Sequence, residues 1–315
     1  MELTIRAIQA QAEDIVSLEL ARADGQNLPP FTAGSHIDLK LGNSLTRSYS
    51  LLNSPAEQNR YVVAVNKDPF SRGGSRYVHE SLRVGQTIEV LEPRNNFKLV
   101  EDAELVVLIA GGIGITPLLS MIHRLNTLGR TWKLYYSART RAKCAYLKEV
   151  LSLQAQAPGQ VKLHIVGESE GRLTDMDGII NSQPAHAHFY CCGPTPMLKA
   201  FEEAAAARPP ECVHIEYFSA QQQAANDGGF DVVLARGKRT VRIEAGKSIL
   251  QSLLDYGIDV SHACQEGVCG ACQTTVLEGT PDHRDSFLTP REKSGGKTMM
   301  LCCSGSLTPT LVLDC

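Results

Sequence analysis

Cysteines alternate with glycines in "CQEGVCGAC", residues 264–272, and two more cysteines follow at Cys302 and Cys303. Cys264 to Cys269 is C-x4-C, Cys269 to Cys272 is C-x2-C, and Cys302 lies well downstream. Thiolates bind soft metals, and this spacing is that of plant-type [2Fe–2S] clusters. Two irons need four thiolates, and drawing three from one loop requires a backbone that wraps. Gly267 and Gly270 allow the wrap and let backbone N–H groups approach the cluster sulfurs. A structural zinc usually takes two paired Cys or Cys/His clusters, and no second C-x-x-C exists here. Small packed core cysteines are the remaining reading. The apolar "MML" before Cys302 favours it over Cys303 as the fourth ligand. Cys303 then reads as a packed neighbour, Cys315 as a terminal thiol, and Cys144 and Cys212 as structural.

Other stretches carry weaker signals. "RSYS", residues 47–50, sets a cation, an aromatic ring and hydroxyls side by side, though an edge strand with an exposed tyrosine looks the same. In "SRGGSRYVHESL", residues 71–82, Gly73, Gly74 and Ser75 open a helix, whose free N–H groups suit a phosphate or only a turn and a cap. "AGGIGITP", residues 110–117, is not G-x-G-x-x-G, yet its glycines let a dinucleotide approach the backbone at the carboxyl edge of a sheet. A tight strand–helix turn is the plain alternative. In "YYSARTR", residues 135–141, Arg139 and Arg141 suit either a 2′-phosphate or a solvated basic face. Adjacent Cys191 and Cys192 cannot easily chelate one metal.

These stretches need elements to position them. With 315 residues the chain calls for two or three domains. Short alternating stretches in the first hundred or so residues, such as "HIDLKL" and "RYVVAVNK", predict a small antiparallel barrel. From about residue 104, "ELVVLIA", "TWKLYYSA", "VKLHIVG" and "AHFYCCG" alternate with helical stretches, predicting a parallel α/β sheet. The first such helix has Thr116 as N-cap, Pro117 at the first position and Gly129 past its end. Residues 218–229 are polar and small, a linker composition. The domains expected are 1–103, 104–220, a linker at 221–229, and 230–315.

A net charge of -3 with mixed signs argues against a nucleic-acid binder. The N-terminus has early acids and no secretory core. The apolar run at 105–122 is broken by glycines and a proline, so it is no membrane span. A cytoplasmic protein with no membrane partner is expected, and there ten cysteines are not a disulfide framework.

"CQEGVCGACQTTVLEG" followed by "MMLCC" resembles the ferredoxin domain of the phthalate dioxygenase reductase family, which includes vanillate O-demethylase reductases. The resemblance covers almost the whole chain. "RSYS" is similar to the R-x-Y-S flavin motif of the ferredoxin–NADP reductase superfamily. The order flavin, nicotinamide, ferredoxin is phthalate-type, whereas benzoate-type reductases carry the ferredoxin first. The resemblance implies a flavin-binding barrel, a nucleotide-binding α/β domain and a C-terminal β-grasp ferredoxin domain.

It also implies residue roles. Arg47, with Gly73, Gly74 and Ser75, would bind the flavin phosphate. Tyr49 would lie against the isoalloxazine beside Ser48, with Ser50 near the reactive ring nitrogen. Val65, Asn66 and Lys67 would line the same flavin, and Phe218 would stack on it. Gly111, Gly112 and Gly114 would lie under the nicotinamide, with Thr116 also reaching the flavin. Cys192 would stand near the hydride path, with Gly193, Pro194 and Met197 closing the pocket. Ser137 and Arg139 would meet the adenosine ribose. Ser50, Thr116 and Cys192 form the catalytic group, and Cys264, Cys269, Cys272 and Cys302 the metal ligands.

FMN is favoured over FAD because the flavin loop is short, and NADH over NADPH by family, with NADPH left open. The implied function is electron transfer from NAD(P)H through flavin and cluster to a Rieske non-haem iron oxygenase acting on an aromatic compound. A cytochrome P450 or a methyl-monooxygenase is an alternative acceptor. A redox sensor or metal-binding interaction protein without turnover is the alternative from another class.

Overall fold

A computed structural model describes residues 1–42, 45–69 and 71–315. The chain divides into two compact units, Met1–Phe218 and Ser219–Cys315. The first unit opens with β1 (Glu2–Ala12), β2 (Ile15–Ala21), β3 (His36–Lys40), β4 (Thr46–Ser50), β5 (Tyr61–Asn66), α1 (Gly74–Glu80) and β6 (Thr87–Val90). The six strands form an antiparallel sheet in the order β4-β3-β6-β1-β2-β5. A bridge between Leu51 and Val63 joins its two edges and closes the expected barrel. Alternate residues, among them Leu3, Ile5, Leu18, Leu20, Ile37 and Leu39, point inward and are fully buried, as the period of two in a strand requires.

The same unit continues with β7 (Leu105–Gly111), α2 (Ile115–Thr127), β8 (Thr131–Ala138), α3 (Leu147–Gln156), β9 (Val161–Ile165), α4 (Met176–Asn181), β10 (His188–Cys192), α5 (Thr195–Ala205) and β11 (Val213–Glu216). Their sheet is wholly parallel, in the order β11-β10-β7-β8-β9. β7 is buried along its whole length, which is why it reads as an unbroken apolar run. The chain moves from β7 outward to β9, then returns to the other side of β7 with β10. The topological switch therefore lies between β7 and β10, where open α/β sheets place their ligands.

One sequence expectation is corrected here. Thr116 is not the N-cap of α2, because a 3-10 turn at Gly112–Gly114 runs straight into the helix and moves its start to Ile115. Inside the first turn, the Thr116 hydroxyl donates back to the Ile113 carbonyl at 3.0 Å. Pro117 is tolerated there because the first N–H groups of a helix have no intrahelical partner. Gly129 does follow the helix end, in the left-handed conformation.

The second unit holds β12 (Phe230–Leu234), β13 (Arg239–Ile243), α6 (Ile249–Asp255), β14 (Gln273–Glu278), β15 (Pro281–Asp282), α7 (Pro290–Gly295), β16 (Thr298–Met300), β17 (Gly305–Ser306) and β18 (Thr310–Leu313). The main sheet runs β13-β12-β18-β14-β16, with β18 parallel to β12 and the other pairs antiparallel. Buried residues of α6, Ile249, Leu250 and Leu253, join its core, giving a β-grasp. Within residues 221–229, Ala225 is buried and its N–H donates to the Cys303 carbonyl at 2.7 Å.

No helix among the described residues is long and apolar enough to cross a membrane.

Candidate functional site

In the first unit three strand ends meet. Ser50 closes β4, Cys192 closes β10 and Glu216 closes β11, with Cys192 and Glu216 paired across the parallel strands. The Ser50 hydroxyl donates to Glu216 Oε2 at 3.3 Å, and Cys192 Sγ stands 4.0 Å from the same oxygen. Burial pushes the Glu216 carboxyl up to about 8, and the Ser50 hydrogen bond offsets only part of that. Burial also pushes the Cys192 thiol well above its usual value, with Glu216 and then Cys191 adding to it. At neutral pH the three therefore form an uncharged polar cluster inside an apolar junction. Glu216 went unnoticed in the sequence. Its one signal is an acid ending the short, half-buried strand "VHIE", where a charge loses part of its hydration.

The glycine segment sits beside this cluster. A Cβ on Gly114 would lie 2.1 Å from the Cys192 carbonyl oxygen, so only glycine fits. Gly111 likewise lies against Gly193, Pro194 and Met197. The two segments singled out for nicotinamide thus form one glycine-floored surface at the switch between β7 and β10. The Tyr136 hydroxyl donates to the Gly112 carbonyl at 3.0 Å and braces that floor, a contact with no local sequence signal.

The remaining residues of the expected flavin and nucleotide sites are placed as follows. Arg47 packs against Gly74 at the start of α1, where a Cβ would fall 2.8 Å from the Arg47 side chain. Tyr49 is partly buried on the same strand. The Ser48 hydroxyl turns the other way and donates to Asp38 Oδ1 at 2.5 Å, and Arg94 pairs with the second oxygen of that buried carboxylate. The Ser75 hydroxyl accepts from the Asp68 N–H at 3.2 Å. Val65 points into the barrel core, Asn66 is exposed, and Lys67 pairs with Glu80 of α1 at 2.9 Å. Thr116 is buried with its hydroxyl turned to Ile113. Phe218, two residues beyond Glu216, remains exposed. Ser137 lies near the carboxyl end of β8 opposite Gly111, and Arg139 is exposed just past it. Arg141 is held by Glu168, which follows β9, at 2.6 and 3.0 Å.

In the second unit Cys264, Cys269, Cys272 and Cys302 are all buried. They stand as two thiol pairs, Cys264 with Cys269 and Cys272 with Cys302. Among the described residues no group of three His, Cys, Asp or Glu side chains is placed to hold a single ion. Two pairs are instead what two irons sharing four thiolates require. The neighbouring Cys269 thiol and burial push Cys264 above its usual range, as the Cys302 thiol and burial do for Cys272. Cys302 is drawn down by Cys272 but raised by Cys303 and burial, ending at about 12. Such thiols ionise in favour of a bound metal.

The backbone supports the same reading. N–H groups of Glu266 and Val268 point at the Cys264 sulfur, the first at 3.3 Å, and that of Gly267 points at Cys302. Gly267 and Gly270 take φ of 70° and 74°, as the wrapped loop requires. Cys303 packs its sulfur against Gly267 and also neighbours the Cys302 thiol. The donor set, its pairing and its N–H groups fit a [2Fe–2S] cluster.

Comparison with known proteins agrees with both units. Residues 108–203 match the oxidoreductase NAD-binding domain, and residues 233–306 match the 2Fe-2S iron-sulfur cluster binding domain. The chain is 49% identical over its full length to phenoxybenzoate dioxygenase subunit beta of Ectopseudomonas oleovorans, covering 97% of that protein. It is 38% identical over its full length to vanillate O-demethylase oxidoreductase of Pseudomonas sp. strain HR199, covering 99% of it. Among solved structures, phthalate dioxygenase reductase aligns over 100% of this chain and 98% of its own, with TM-score 0.78 and 36% identity. An intact type IV self-sufficient cytochrome P450 monooxygenase aligns over 100% of this chain and 41% of its own, with TM-score 0.86 and 38% identity.

Proposed function

Because the chain belongs to the phthalate dioxygenase reductase family, we propose that it carries electrons from NADH, through FMN and a [2Fe–2S] cluster, to the terminal oxygenase of an aromatic-degrading system. The acceptor in this reading is a Rieske non-haem iron oxygenase, and the compartment is the cytoplasm. The observation that carries it is the meeting of Ser50, Cys192 and Glu216 above the glycine floor, in a chain that also pairs four buried thiols. When bound, the flavin converts two-electron into one-electron transfer, and the cluster supplies the one-electron outlet.

The protein's part is to position and to keep charge out. Gly111, Gly114 and Gly193 let the turns after β7 and β10 pack backbone to backbone, and Gly112, open where a Cβ would stand, leaves bare backbone for the coenzyme. Ser50, Cys192 and Glu216 give the reacting rings a neutral, hydrogen-bonding wall, with the proton on Glu216 at neutral pH. Tyr49 and Phe218 offer flat faces to the flavin, Arg47 a cation to its phosphate, and Ser48, Val65, Asn66, Lys67, Gly73, Gly74 and Ser75 the surrounding frame. The short connection from β5 to α1 supports FMN over FAD. Positioning of this kind can carry most of the catalysis without a dedicated acid or base. Arg47→Ala is expected to lower the flavin content of the purified protein, read as the flavin-to-protein absorbance ratio. An unchanged ratio would remove Arg47 from the site.

NADH is favoured because Glu168 takes both arms of the Arg141 fork at the carboxyl ends of β8 and β9. A 2′-phosphate arriving there would meet a carboxylate and find the guanidinium already engaged. Glu168→Gln is expected to raise kcat/KM for NADPH by on the order of tenfold, the effect of about 1.4 kcal/mol. The NADH value should stay within a few-fold, and an unaltered coenzyme ratio would rule Glu168 out as the selector.

The decisive experiment is the visible spectrum of protein purified without air, before and after NADH, with the released flavin identified by mass. Flavin bands over a broad iron–sulfur absorbance, all bleached by NADH, are expected. Colourless protein containing zinc would overturn the proposal. A P450 acceptor is the second reading, favoured by the structural likeness to the P450 monooxygenase. It predicts that the reduced protein passes electrons to a P450 haem faster than to a Rieske centre.

A further inference from the structure

A buried carboxylate lies behind the cysteine loop of the second unit. Asp285 has a side chain with 0% exposure. Its Oδ2 accepts the N–H groups of Phe287 at 3.1 Å and Leu288 at 2.7 Å, which fixes the turn at 285–288. Its Oδ1 has no hydrogen-bond partner among the described residues. Two side-chain nitrogens stand off, His283 Nδ1 at 3.7 Å from Oδ1 and the Lys293 ammonium, Nζ, at 3.8 Å from Oδ2. Lys293 spends its hydrogen bond on the Asp285 carbonyl instead.

This turn lies directly on the ligand loop. A Cβ on Gly267 would fall 3.0 Å from Asp285 Cα and 3.2 Å from Asp285 Cβ. The Ser286 N–H donates to the Gly267 carbonyl at 3.0 Å, and the Gly267 N–H in turn points at the Cys302 sulfur. One residue, Gly267, thus separates the Asp285–Ser286 peptide from the Cys302 sulfur. A carboxylate out of contact with water is poorly screened, and its field reaches its neighbours at an effective dielectric far below that of water. Reduction of a cluster adds one negative charge to it, so a fixed anion nearby makes that electron harder to accept.

We propose that Asp285 is a positioning residue whose buried negative charge holds down the reduction potential of the [2Fe–2S] cluster, with Lys293 partly offsetting it. This rests on the cluster reading given above. The two residues then act with opposite signs. Asp285→Asn keeps an oxygen for the two turn N–H groups and removes only the charge. Lys293→Gln removes the counter-charge.

The test is a spectroelectrochemical titration of the cluster in the full-length holoprotein, after the iron content of each variant has been measured. The midpoint potential is expected to shift upward in Asp285→Asn and downward in Lys293→Gln. The Asp285→Asn shift should persist in high salt, where the effect of a surface charge would fade. No shift, a shift of the same sign in both variants, or a shift abolished by salt would overturn the proposal. If Asp285→Asn fails to hold its cluster, the Lys293→Gln potential decides alone: a fall supports the inference and an unchanged value overturns it. Wild-type protein without iron–sulfur absorbance would mean that the cluster reading itself has failed, a result distinct from a cluster that is present and insensitive to these charges.

Discussion

Cys302→Ser is expected to abolish iron–sulfur absorbance while leaving NADH able to bleach the flavin at the wild-type rate. Ser50, Cys192, Glu216 and the glycine floor all belong to residues Met1–Phe218, whereas the four thiols belong to Ser219–Cys315. Removing one thiolate leaves one iron a ligand short, and a serine hydroxyl is a poor substitute for a soft donor. Delivery to a protein acceptor that takes its electrons through the cluster should stop. The control is the adjacent residue. Cys303 packs its sulfur on Gly267 and lies 3.9 Å from the Ser304 hydroxyl, so serine there finds a polar neighbour. Cys303→Ser should keep the cluster at a stability cost of about 1 kcal/mol, the usual scale of one altered core contact. Iron retained in Cys302→Ser and lost from Cys303→Ser would reverse the ligand assignment.

Flavin reduction by NADH should fall as pH rises through about 8 in the wild type, and should stay level over the same range in Glu216→Gln. Burial raises the Glu216 carboxyl from an ordinary 4.5 to about 8, so it holds its proton at neutral pH and loses it above. The ionised form would set a charge beside Ser50 and Cys192 with no cationic partner among the described residues. Glutamine keeps the neutral wall and a partner for Ser50 at every pH. Glu216→Ala removes both and should slow reduction by roughly tenfold, the effect of about 1.4 kcal/mol, the scale of one lost hydrogen bond. Folding stability shares this linkage. A carboxyl raised in the folded state adds stability that is fully present below the unfolded value of 4.5 and is lost as pH rises through about 8. Denaturant midpoints compared at pH 7 and pH 9 should therefore drop further in the wild type than in Glu216→Gln. Equal drops in the two proteins would show that another group titrates.

Much of this molecule is legible in the sequence because its local signals agree. "TWKLYYSA" is β8 from end to end, since its alternation and its flanks point the same way. The cysteine loop reads directly because three of the four expected ligands, and the glycines that bend the loop, lie within one short stretch. What escaped lies in contacts between distant segments. Glu216 and Ser50 find each other only when β4 and β11 are both in place. Asp285 looks like any acid in a polar turn until Gly267 is seen beneath it. The misplaced cap of α2 has a local cause, because the glycine turn at 112–114 is itself helical and starts the helix early.

The bond between Ser50 and Glu216 joins residues 166 positions apart. Closing so large a loop is entropically costly and kinetically slow. Glu216 belongs to β11, an edge strand and the last of its sheet to leave the ribosome. A nascent chain can therefore finish its barrel, and most of its parallel sheet, while the junction between them is still open. The corner of Ser50, Cys192 and Glu216 is assembled last, so its closure marks completion of the first unit rather than guiding its early steps.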